Sequence, residues 1–353
     1  MTTTRYDPLL AEVRSAVDAV LTDFLATKER LAVTPQTPLF VDWLRTYLAN
    51  GKRLRPVLCY SGWYAAGGDD NPADVFQIAA SLELFHAFAL LHDDFMDASD
   101  TRRGRPTVHR QIATAYSTRA DSERFGGNVA ILLGDLTLCW SYELARAAGL
   151  EPAKAAAVWP LLEAMHAETV SGQFLDLLTT GVLDSDMGSA LEVAKYKTSK
   201  YTIERPLQLG STLAGAAPEV HDIWTAYSAP LGEAFQFRDD LLGVFANPAD
   251  TGKPAIDDLR EGKHTALLAV AWRRADDAQR RRLRALVGNA SLDEAGAAEV
   301  RRILTVTGAR ATIEKMIDER CEQAMTVLRS ANFPADRVTV LHQLARYATE
   351  RGH

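Results

Sequence analysis

The chain has 353 residues, 47% of them hydrophobic, and a formal net charge of −7. That is ample apolar material for a substantial core, and the acidic balance excludes a nucleic-acid binder that works by neutralising phosphates. Cys59, Cys139 and Cys321 are too scattered for a metal-type spacing, so a reduced, cytoplasmic setting is expected.

The first residues carry no basic-then-apolar signal pattern, and no run of about eighteen uninterrupted apolar residues exists, so no transmembrane segment is expected. Asp7-Pro8 marks a helix start leading into 9–31. A second helix over 38–49 stops at Asn50-Gly51, and the run Gly51-Lys52-Arg53-Leu54-Arg55-Pro56 opens a third, ending at Gly67-Gly68. Asn71-Pro72 starts a long apolar helix in which Ile78, Leu82, Phe85 and Ala89 recur at helical steps. Further helices are expected over 126–149, over 152–180 with a bend or break near Pro160, and over 187–203, 206–214 and 218–245. A Gly/Pro/Asp-rich loop follows over 247–262, then four or five more helices. Strand-like alternation is absent. The short connections predict one all-α domain over 1–353, a helical bundle.

The long helix leads into Leu91-His92-Asp93-Asp94-Phe95-Met96-Asp97, then Arg102-Arg103-Gly104. If the helix runs on to Asp97, Asp93 and Asp97 share one face, a turn apart. Two like charges there repel, unless a hard cation such as Mg²⁺ takes their oxygens and completes its shell with substrate phosphates. Guanidinium groups suit bidentate phosphate contact, so Arg102 and Arg103 beside these acids describe a site for a metal–diphosphate.

A second acidic run, Gln236-Phe237-Arg238-Asp239-Asp240, closes the helix over 218–245, and carboxylates facing inward from two helices suit a bundle-core site. Lys52 and Arg55 stand at a helix start, which favours anions. Lys197 and Lys253 add point charges, and Gln173 and Asp176 place an amide and a carboxylate one turn apart.

In order along the chain, GKRLRP, HDDFMD with RRGRP, GQFLD, KT, FQFRDD and GKP resemble the motifs of the all-α head-to-tail (trans) isoprenyl diphosphate synthases, or polyprenyl synthetases. The resemblance implies a helical bundle with a central cavity and prenyltransfer to isopentenyl diphosphate from an allylic diphosphate, with Mg²⁺ as cofactor, usually in a homodimer. It assigns Asp93, Asp97 and Asp239 as metal ligands, with Asp94 in support. Arg102, Lys197 and Lys253 would bind the allylic diphosphate, and Gln173, Asp176 and Gln236 would line its site. Lys52, Arg55, His86 and Arg103 would hold isopentenyl diphosphate. In one departure, the family's second motif commonly ends in Asp, where this chain has Gly243; Asp250, in the following loop, is a candidate substitute.

Two class-level alternatives are a class I terpene cyclase and a non-catalytic subunit of a heteromeric synthase. GKRLRP and the paired arginines set the chain apart from the first, and the intact first motif from the second. Phe88, five residues before Asp93, resembles the stop of medium-chain synthases, and the small Ala89 leaves the face under Asp93 open. Geranylgeranyl diphosphate is therefore the expected product, with farnesyl diphosphate the alternative. Phe85 is a candidate second floor.

Overall fold

Four helices lead to the first acidic motif: α1 (Tyr6–Arg30), α2 (Thr37–Leu48), α3 (Leu54–Ala65) and α4 (Ala73–Met96). The computed structural model describes residues 6–49, 51–68, 72–246 and 256–350; Lys253 and Asp250 lie outside them. By composition α4 is apolar and long enough to cross a bilayer, but it is the core helix here, with 67% of its most apolar window buried. Its Ile78, Leu82 and Leu84 are fully buried, each stabilising the fold by about 1.5–3 kcal/mol. Arg53 sits just before α3 in the left-handed region, φ 53°. Its buried guanidinium bonds to Asp18 at 2.7 Å, Glu83 at 3.0 Å and the Leu48 carbonyl at 2.8 Å, tying the α2–α3 turn to α1 and α4.

The helix stops one residue short of Asp97. Ala98 turns left-handed at φ 50°, Ser99 N–H donates to Asp94 O, and Ala98 N–H to Phe95 O, the double bond pattern of a Schellman ending. Asp97 N–H still donates to Asp93 O at 2.9 Å, so the two acids are stacked one turn apart as the spacing suggested.

The arginine loop contains what the alternation test missed, a two-residue antiparallel pairing of β1 (Thr101–Arg102) with β2 (Arg105–Pro106). Arg103 and Gly104 form its turn with φ 53° and 73°, and two positive φ values are the mark of a type I′ hairpin. The turn directs consecutive arginines to different neighbours. Helix α5 (Val108–Ala115), also not anticipated, precedes α6 (Ser122–Arg146). The latter begins before Gly126, with Glu123 in its first turn complementing the helix dipole.

Helix α7 (Pro152–Thr179) runs unbroken through Pro160. The helix expected over 187–203 divides into α8 (Met187–Val193) and a π-helix, Ala194–Glu204, before α9 (Arg205–Leu213). Pro206 has no N–H for Thr202 O and its ring crowds that carbonyl in an α-helix, so a wide turn ahead of it relieves a real conflict. Then come α10 (Glu219–Phe245), the short α11 (Asp257–Glu261) inside the segment expected to be loop, α12 (Ala266–Arg274), α13 (Asp277–Leu286), α14 (Glu294–Val306), α15 (Ala309–Ser330) and α16 (Ala335–Glu350). The architecture is all-α. A few charged side chains, among them Arg55, Glu83, Asp94, Asp176 and Asp240, are buried inside the bundle, with small cavities of about 10 Å³ beside α4.

Candidate active site

The C-terminal ends of α4 and α7, the π-helix and α11 meet around one buried ionic network. Arg102 Nε donates to Asp94 Oδ1 at 2.6 Å and its Nη2 to Asp93 Oδ2 at 3.0 Å. Tyr47 Oη donates to the other Asp94 oxygen at 3.0 Å. Lys197 Nζ bridges Asp93 at 2.8 Å and Asp176 at 2.5 Å. The approach that brings Lys197 there depends on Gly172: a Cβ at that position would lie 2.7 Å from the Lys197 Cα. Lys263 Nζ lies 3.1 Å from Asp97 Oδ2, 3.0 Å from Glu261 and 3.7 Å from Asp258.

These neighbours decide the charge states. Burial pushes the Asp93 carboxyl up, but Lys197, Arg102 and Lys263 outweigh it and hold Asp93 well below the usual carboxylate range. Burial, reinforced by the charge of Asp93, wins at Asp97, whose carboxyl is raised despite Lys263. Burial would lower Lys263, yet Asp258, Asp97, Asp93 and Glu261 raise it well above the ordinary lysine range. The lysine thus joins the first acidic motif to the α10–α11 side.

On that side Gln236 Nε2 donates to Asp240 Oδ1 at 2.8 Å, while Thr198 of the π-helix donates to Gln236 Oε1 at 2.8 Å. Burial is the main force raising Asp240 to about 8; the Gln236 bond opposes it, and Asp258 and Asp239 add to it. Asp239 is half-buried beside it. At the departure from the family pattern, the Asp258 carboxylate packs directly onto Gly243, its Cγ 2.9 Å from where a Cβ would stand.

A second cluster lies across α4. Arg55 is 8% exposed, its guanidinium is stacked 4.3 Å over the Tyr201 ring, and Nη2 donates to Thr202 at 2.7 Å. Its Nε is buried with no hydrogen-bond partner. Tyr201 Oη lies 3.4 Å from His86 Nδ1. Burial, then Arg55, Arg103 and Arg102, lower the His86 pKa well below its usual value, so this imidazole is neutral in a strongly positive pocket. His86 and Arg103 line the small cavity on this side.

The fold therefore gathers Asp93, Asp94, Asp97, Arg102, Asp176 and Lys197 into one network, and Arg55, His86 and Arg103 into another. Gln173 is half-buried, its amide 3.6 Å from Met96 Sδ. Lys52 is exposed at the entry to α3. Lys263 and Asp258 were visible in the run Asp257–Lys263 but drew no role, because nothing in their spacing says which helix they approach. Thr198 entered only as the second residue of the KT motif, without a role, and Tyr47 and Tyr201 carried no sequence signal at all.

The polyprenyl synthetase family model matches residues 37–304. The geranylfarnesyl diphosphate synthase of Aeropyrum pernix is 31% identical over 95% of this chain and 99% of its own length. The (2E,6E)-farnesyl diphosphate synthase of Mycobacterium bovis is 31% identical over 85% and 80%. The crystal structure of geranylgeranyl pyrophosphate synthase from Corynebacterium glutamicum, complexed with isoprenyl diphosphate and magnesium, aligns with a TM-score of 0.92 at 37% identity, covering 97% of this chain and 99% of that one. With this fold, these motifs and these relatives, the chain belongs to the polyprenyl synthetase family: it is a trans-prenyl diphosphate synthase, a prenyltransferase.

Proposed function

We propose that the chain condenses isopentenyl diphosphate with an allylic diphosphate in the presence of Mg²⁺, releasing pyrophosphate and making geranylgeranyl diphosphate, with farnesyl diphosphate the alternative product. The observation that carries a two-substrate reaction is the second cationic pocket beside the acidic centre: Arg55, with its unpartnered buried Nε, stacks on Tyr201, which reaches His86, and Arg103 lines the same cavity as His86. A buried guanidinium N–H without a partner costs about 1–3 kcal/mol, and a diphosphate oxygen would satisfy it.

The acidic centre suits Mg²⁺. Its donors are hard carboxylate oxygens, and Asp97 Oδ2 is buried with an ion pair but no hydrogen bond of good geometry. Among the described residues no three ligating groups converge to cage a metal unaided, which fits a cation that takes one or two carboxylates and shares the rest of its shell with substrate phosphates. Asp93, Asp97 and Asp239 would hold it, and Asp258 would supply the carboxylate that the second motif lacks at Gly243. Bound there, Mg²⁺ supplies Lewis-acid stabilisation of the negative charge on the leaving pyrophosphate.

The chain's own groups do the rest. Arg102, Lys197 and Lys253 bind and orient the allylic diphosphate, and their charges favour departure of the C1–O bonding pair with pyrophosphate. Lys52, Arg55, His86 and Arg103 hold isopentenyl diphosphate so that its alkene faces C1, which supplies proximity and orientation. The alkene electron pair forms the new carbon–carbon bond, and the proton leaves to the departing pyrophosphate. Gln173, Asp176 and Gln236 line the site, Asp176 by setting Lys197. Below it, Phe88 is 7% exposed and packs edge-on to Phe85 at 5.4 Å, in the position of a floor, while half-buried Ala89 leaves room above.

A homodimer is proposed as the working form, because Leu132 on α6 and Phe174 and Leu178 on α7 are 58%, 60% and 58% exposed, a set of large apolar side chains that a partner would cover. Incubation with labelled isopentenyl diphosphate, an allylic diphosphate and Mg²⁺ tests the chemistry. Products longer by five-carbon units, lost on adding chelator and regained with excess Mg²⁺, are expected. No incorporation of label with any allylic primer would overturn it.

A further inference from the structure

Helices α4 and α7 both bring their C-terminal ends to the site, and a histidine on α7 meets the aromatic pair of α4 below it. The His166 ring closes against Phe85 at 6.1 Å and 78°, and against Phe88 at 6.0 Å and 83°. Phe88 and Phe85 lie about 7.5 and 12 Å along α4 from Asp93, and His166 lies about 10 Å along α7 from Gln173, at ~1.5 Å per residue. The three rings therefore stand at comparable depth. A side chain of α6 fixes the histidine: Tyr142 Oη lies 3.2 Å from His166 Nδ1. Burial lowers the His166 pKa, so the ring is neutral. Beyond this layer is a void of about 10 Å³, walled by Ser81, Leu82, Phe85, Ser141 and Tyr142 among others. Phe85 and Tyr142 thus have a face on each side, one toward His166 and one toward the void.

We infer that His166, held by Tyr142, is a specificity-determining residue that closes the floor of the prenyl-tail channel together with Phe85 and Phe88. The inference rests on the elongation chemistry proposed above. An imidazole and a phenol that satisfy each other need no water, so the layer can stay dry beneath an apolar tail. Displacing one ring would leave the other's half-buried polar group without its partner, which resists a tail pressing on it. The void has room for about one water molecule and not for a five-carbon unit. Removal of the His166 ring would merge it with the channel and give a longer tail somewhere to go.

The test is the product distribution of His166→Ala, Tyr142→Phe and His166→Ala/Ser81→Leu, with isopentenyl diphosphate, farnesyl diphosphate and Mg²⁺. His166→Ala should shift the main product by at least one five-carbon unit while total turnover stays within a few-fold of the parent. Tyr142→Phe, which keeps the ring and frees the imidazole, should give a minor longer fraction. Ser81→Leu fills the void and should cancel the lengthening in the double variant. If His166→Ala is too unstable to assay, His166→Val removes the ring with less loss of volume and is judged by the same shift. A parent-like distribution from the ring-less variant at parent-like turnover overturns the inference. Failure of the parent itself to extend any primer overturns the elongation chemistry instead, and the two failures are distinguishable.

Discussion

Asp258 and Gly243 fit together as carboxylate and gap: the Asp258 Cγ stands 2.9 Å from the place a Cβ on residue 243 would occupy. Restoring an aspartate at 243, as the family pattern suggests, therefore sets two side chains in one space. Gly243→Asp is expected to weaken Mg²⁺ binding in the presence of inorganic pyrophosphate, measured by calorimetry, by about tenfold or more. Asp258→Ala should do the same by losing the charge. Gly243→Asp/Asp258→Ala should recover most of the affinity. Additive losses in the double variant would show that Asp258 does not stand in for the missing acid.

The acidic ligands act on the leaving group, so their loss should appear in kcat. Asp93→Ala and Asp239→Ala are each expected to lower kcat by about a hundredfold or more, in the range of other lost transition-state charge contacts. Steady-state assays over a range of primer and Mg²⁺ concentrations check this. Near-normal turnover of Asp93→Ala would remove that residue from the metal set.

The two cationic pockets should separate kinetically. Arg103→Ala and Lys52→Ala are expected to raise KM for isopentenyl diphosphate more than for the primer, and Lys197→Ala the reverse. Lost charge-assisted bonds are worth about 1.5–3 kcal/mol each, hence tenfold or greater effects. Equal effects on both substrates would contradict the division.

How much of this was legible in the sequence varies by residue. The pairing of Asp93 with Asp97 was, because a helical repeat leaves little choice about which side chains stack. The arginine hairpin was not: two-residue strands show no alternation, and only the Arg103-Gly104 turn chemistry marks it. The π-helix was hidden too, since an i→i+5 ladder differs from an α-helix by less than one residue per turn in its apolar period. Placing Lys263 between Asp97 and Asp258 needs the tertiary approach of α11 to α4, and no local pattern encodes that. Nothing in the sequence singles out His166; only the packing of Phe85, Phe88 and Tyr142 around it does.

Lys263 offsets part of the shared charge of Asp97, Asp258 and Glu261 in a half-buried setting. Lys263→Met is expected to destabilise the metal-free protein by about 3–5 kcal/mol, the usual cost of stripping one partner from a buried ionic group. Mg²⁺ with pyrophosphate should then raise the melting temperature of the variant by more than it raises that of the parent. An equal rise in both would mean the cation does not offset the same carboxylates.

Phe88→Ala removes a buried aromatic that packs on Phe85, His92 and His166. A loss of about 3–5 kcal/mol of stability is expected, together with longer products. Thermal unfolding and chromatography of the products read the two effects separately, and an unchanged product distribution would place the floor elsewhere.

Pyrophosphate release from farnesyl diphosphate and Mg²⁺, followed with and without isopentenyl diphosphate, bears most directly on the two-pocket mechanism. Release is expected only when isopentenyl diphosphate is present, one pyrophosphate for each five-carbon unit added to the product. Release at a comparable rate without it, with hydrocarbon or alcohol products, would contradict the role given to Arg55, His86 and Arg103 and would mark the protein as a cyclase.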